Sequence, residues 1–93
     1  MANGKLSIKQ LRKIMDSARV DAERDLSSSQ DYEQFQYAAG AARGAGMVIH
    51  SVILAAFGLP HECGDVFNQY TDYSGYINAR VGFHLGRFTG AER

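Results

Sequence analysis

Between positions 32 and 56, Tyr32, Phe35, Ala39, Ala42, Gly46, Ile49, Ile53 and Ala56 recur at alternating steps of three and four without a break. Only an α-helix brings positions so spaced onto one side, so this heptad-like seam commits more than a quarter of the chain to one helix of about seven turns. Its large residues stand at the ends and its small ones in the middle. The VIHSVIL run is rich in β-branched residues and is open to a strand reading, but the three-four spacing and the alanines around it favour helix. After Arg43 the other faces are apolar too, through Met47, Val48, Val52 and Leu54. That pattern is expected of a core helix enclosed on most sides. Gly58 and then Pro60 supply its stop.

Inside this segment stand Gly40, Gly44 and Gly46, each costing about 1 kcal/mol relative to alanine in a helix interior. The last part of the chain repeats the device at steps of four with Gly82, Gly86 and Gly90. Absence of a β-carbon lets a second backbone approach closely. The expectation is that these GxxxG-like surfaces pack on one another, either within one chain or across a symmetric subunit interface of a homo-oligomer. The GAARGAG segment is not expected to cradle phosphate. No strand precedes it, no Lys-Ser or Lys-Thr follows, and G-x-x-x-G-x-G is not the dinucleotide spacing.

The rest of the sequence also reads as helix. Ile8, Leu11, Met15, Ala18 and Ala22 share one face, Ser7 and Gln10 have the form of a capping box, and the serines at 27, 28 and 29 break the pattern. Helices are expected over about 7–25, 29–57, 60–70 and 74–88, with Ser29 capping the second and a turn from 71 to 74. Ile77, Val81, Leu85 and Phe88 form the apolar stripe of the last. The 93 residues show no repeat or linker, so the expected fold is all-α. It is one compact domain of three to four helices around a long central Gly/Ala-rich helix.

Charge and cysteine usage narrow the function classes. Ten basic and ten acidic residues cancel, which argues against general attraction to nucleic acid or membrane. They are unevenly placed: residues 16–33 carry six acids against Arg19 and Arg24, and the tail turns basic with Arg80, Arg87 and Arg93, an asymmetry suited to contacts between helices or with a partner. Cys63 is alone, which favours a reducing, cytoplasmic setting. The start has positive charge but no apolar run behind it, so a secretory signal is not expected. The apolar stretch at 44–59 is shorter than the roughly 20 residues of a spanning helix and is interrupted by His50 and Ser51, which argues against a membrane.

No catalytic, cofactor or metal motif emerges. His50 stands alone on an apolar helix and reads as a core or interface residue. His61 and Cys63 lack further ligands at a recognised spacing, and Glu62 and Asp65 are what the first turn of a helix prefers. The most suggestive group is Tyr73, Tyr76, Arg80, His84 and Arg87, with Tyr70 before them. The cations recur at steps of four and three on one face, beside aromatic rings. Such a face suits a protein partner, since tyrosine and arginine are enriched in binding hot spots, and it also suits the bases and phosphates of a nucleotide or nucleic acid. A basic face with half-buried tyrosines is the plainer alternative. The resulting expectation is a small non-enzymatic binding protein of the compositional type seen among phage and mobile-element accessory proteins, including inhibitors of host complexes such as defence systems. The alternatives are a nucleotide or nucleic-acid binder using the same residues, and a small membrane-associated lysis-type protein.

Overall fold

A computed structural model describes residues 6–58 and 64–89, and these form three α-helices packed pairwise with no strand among the described residues. They are α1 (Ile8–Ser27), α2 (Tyr32–Phe57) and α3 (Gly64–Thr89). Arg12 meets Gln69 and Glu23 meets Arg80, so α1 and α3 run in parallel. Phe35 meets Phe88 while His50 meets Tyr70, so α2 runs against α3. The topology is up-down-up.

Local chemistry sets the helix starts. Ser7 caps α1 with its hydroxyl on the Gln10 N–H at 3.0 Å while the Gln10 side chain accepts from the Ser7 N–H at 2.9 Å, completing the capping box. The second helix begins at Tyr32 under an Asp31 cap, which accepts from the Gln34 N–H at 2.8 Å, and not at Ser29 as the sequence suggests. The physical reason is that Ser29 is already used: its buried hydroxyl donates to the Asp25 carbonyl at 2.9 Å and closes the end of α1. Gly58 ends α2 with φ of 99°, a conformation that favours glycine.

The expected break at residues 71–74 is corrected, as is the division into helices over 60–70 and 74–88, because α3 is continuous from Gly64 to Thr89. The Thr71 hydroxyl donates to the Phe67 carbonyl one turn back, which absorbs a turn-forming residue into the helix. Val66, Tyr73, Ile77 and Val81 then form one buried stripe against Leu11, Met15 and Leu26 of α1 and Phe35, Ile49 and Ile53 of α2.

Two expectations about α2 are also corrected. Its seam is buried from Phe35 to Ile53, but Tyr32 and Ala56 at the ends are exposed, and the helix is not enclosed: Met47, Val48 and Leu54 face outward. Of the two arrangements expected for the glycine surfaces, packing on one another within one chain does not occur among the described residues. A β-carbon on Gly40, Gly44 or Gly82 would touch nothing within 4 Å, and Gly86 is half-buried. Gly46 alone of the α2 trio faces the interior, where a β-carbon would stand 3.6 Å from the Tyr73 ring. With α1 and α3 both packed on the seam side, the opposite side of α2 has no neighbour among the described residues.

Candidate functional site

The face of Tyr73, Tyr76, Arg80, His84 and Arg87 exists as a row on α3, but the fold turns most of it inward. Arg80 and Glu23 of α1 form a two-pronged ion pair, Nε to Oε1 at 2.7 Å and Nη2 to Oε2 at 2.8 Å. These Arg80 hydrogen bonds, opposed by partial burial and aided by His84, hold the Glu23 carboxyl down at about 2. His84 is buried between them and Arg87, with Nε2 3.0 Å from Glu23 Oε2 and Nδ1 2.7 Å from Arg87 Nη1. A guanidinium only donates, so Nδ1 accepts and the Nε2–H donates to the Glu23 carboxylate. Arg87 also donates to the Leu26 carbonyl at 3.2 Å and the Ser29 carbonyl at 2.8 Å, tying α3 to the α1–α2 turn.

The tyrosines divide between interior and surface. Tyr73 is 1% exposed, and burial pushes its phenol above the ordinary range. Tyr76 stays at the surface, where the Arg19 guanidinium lies 5.9 Å from its ring centre beside Val20. Tyr70 packs on His50 with ring centres 5.2 Å apart, and Phe67 lies 6.2 Å from His50, so this histidine joins an aromatic row between α2 and α3. Within the single chain, the cations of this face serve as staples between helices. Glu23, their main acceptor, was not singled out by sequence reasoning. The only sequence signal was the acidic excess of 16–33 facing a basic tail.

His61, Glu62 and Cys63 lie outside the described residues, as do Pro60 and Gly90. Asp65 occupies the first turn of α3 and is exposed. Among the described residues no three of His, Cys, Asp and Glu converge where they could hold a metal ion. An open groove of about 520 Å³ runs between α1 and α2 beside Asp25, Glu33, Tyr37 and Ala41. The Ser28 and Ser29 hydroxyls on its wall both donate to the Asp25 carbonyl.

Of the exposed large apolar residues, Ile8, Ile14 and Val20 lie on α1 and Tyr76 and Phe83 on α3, while Tyr32, Tyr37, Met47, Val48 and Leu54 lie on α2. Tyr37, Met47 and Val48 are 82%, 71% and 63% exposed, and Gly40, Ala41, Ser51 and Ala55 are exposed between and beyond them. The one charged residue from position 34 to the end of the helix is Arg43, on the flank that borders Val81 and Leu85 of α3. The outward side of α2 is an apolar strip about 27 Å long, from Tyr37 to Ala55 at 1.5 Å per residue. By length and composition alone, α2, at 26 residues and a mean hydropathy of 1.4 over its most apolar part, is long and apolar enough to cross a bilayer. Comparison with known proteins finds no family model, no curated protein and no solved structure that matches the chain.

Proposed function

We propose that the chain is a small non-enzymatic interaction module that works by docking a protein on the outward side of α2. The observation that carries this reading is the uncharged strip itself, with Tyr37, Met47 and Val48 standing in water on one side of a single helix. Contiguous apolar surface of this kind mostly marks an interaction site, because each Å² left wet forgoes about 25 cal/mol of burial. An adaptor or inhibitor acts in this way, in keeping with the compositional likeness to small accessory proteins of phages. The nucleic-acid alternative has less support. Arg80 and Arg87 already satisfy Glu23 and two backbone carbonyls, whereas phosphate binding draws on cations that can leave the protein for the ligand.

Photocrosslinking from inside the producing cells tests the reading. Benzoylphenylalanine in place of Val48 should yield a protein adduct, and the same group in place of Lys13, exposed on α1, should not. If position 48 gives no protein adduct, or only lipid, α2 is not a protein-docking helix, and the second outcome would make it a membrane segment.

A further inference from the structure

The strip has an internal order that selects its occupant. Tyr37, Ala41, Gly44, Val48, Ser51 and Ala55 run along the outward side of α2 at steps of four, three, four, three and four. That is the repeat of a helix packed lengthwise on another helix, and it is a second seam, distinct from the one that α1 and α3 fill. The step pattern reads the same in both directions, and the sizes are complementary when it is reversed. Tyr37 then falls opposite Ala55, Ala41 opposite Ser51, and Gly44 opposite Val48. In the parallel arrangement Tyr37 would meet Tyr37 and Gly44 would meet Gly44, a collision in one layer and a void in another.

We propose that the occupant is a second copy of this chain, laid antiparallel along α2 about a two-fold axis beside position 46. The proposal rests on the docking role of α2 argued above and names its partner. A self-complementary patch is what a two-fold interface requires. On one flank Gly40 comes beside Leu54, and Met47 beside its own counterpart near the axis. Arg43 points to the α3 flank, and the carboxylates of Asp25 and Glu33 border the strip at its Tyr37 end. Gly44 has nothing within 4 Å of a β-carbon in the single chain, and in the pair it gives Val48 its place. Tyr37, Met47 and Val48, 82%, 71% and 63% exposed in the single chain, supply the large side chains that such a pairing would cover. A standard interface covers about 800 Å² per partner.

Two measurements on the purified chain decide it. Sedimentation equilibrium should give twice the chain mass, and Val48→Arg should weaken association by about tenfold or more with helical circular dichroism unchanged, since Val48 is 63% exposed in the single chain. In a Cys63→Ser background, a Tyr37→Cys chain and an Ala55→Cys chain should form a disulfide dimer on mild oxidation when mixed, and neither should do so alone. Cross-linking of Tyr37→Cys to itself overturns the antiparallel register. Chain mass at every concentration, with no cross-link in the mixture, overturns the second copy as occupant. If the benzophenone at position 48 then captures a different protein, the docking role of α2 survives; if it captures none, both fall together.

Discussion

Gly46 and Gly82 are the same residue type in helix interiors, yet their surroundings differ. A β-carbon on Gly46 would make ordinary contact with Tyr73 at 3.6 Å, so alanine fits there while a longer side chain would drive into a ring that is 1% exposed. A β-carbon on Gly82 would meet open space, away from α1, α2 and the α2 strip. Gly82→Ala should therefore act through helix propensity alone and stabilise the fold by about 0.5–1 kcal/mol. In thermal melts that corresponds to a rise of about 2–8 °C for a domain of this length. A fall in the midpoint would mean that α3 uses the bare backbone at position 82 for a contact. Sequence spacing locates such glycines on a helix but does not show whether a neighbour is there, because that depends on which helix the chain folds beside them.

Between elements, the link with the sharpest pH signature is the one from α1 to α3 through Glu23, Arg80 and His84. The Glu23 carboxyl has its folded pKa lowered from 4.5 to about 2. Its stabilisation is accordingly present above the unfolded value and is lost as pH falls from about 4.5 to about 2. With Glu23 about a third exposed, solvent screening reduces the contribution to about 1–2 kcal/mol. Glu23→Gln should lower stability by that amount at pH 7 and show a smaller loss on acidification, so that urea midpoints of variant and parent converge toward pH 2. Equal acid sensitivity in both would place the acid-labile group elsewhere. The first helix start was legible because a capping box is closed within four residues. The row Arg80, His84 and Arg87 was legible as a row, since helical spacing is local. Its partners were not, because Glu23, Leu26 and Ser29 stand 57 to 61 residues away in sequence. The unbroken course of α3 was missed for a related reason: Thr71 and Ser74 favour turns in isolation, and packing of Tyr70 and Tyr73 on α2 overrides that preference.

At the scale of the whole molecule, the described residues form three helices of 20, 26 and 26 residues packed side by side. Such an arrangement keeps apolar surface of α2 wet, and pairing along α2 would relieve it. Stability should then depend on mass action: the melting midpoint should rise with protein concentration in the parent chain and stay constant in Val48→Arg. A concentration-independent midpoint in the parent would mean that the bundle is stable without a companion. The all-α class and the long second helix were readable from periodicity. The side of that helix left uncovered was not, since both sides carry a three-four apolar repeat and only the folded chain chooses which one α1 and α3 occupy. The Arg87 clamp, finally, bears on how the protein is made. A ribosome releases the first two helices and their turn well before the guanidinium that fastens them, so the hairpin emerges without its latch. That tie can form only once position 87 has cleared the exit tunnel, after α1, α2 and their turn have been made.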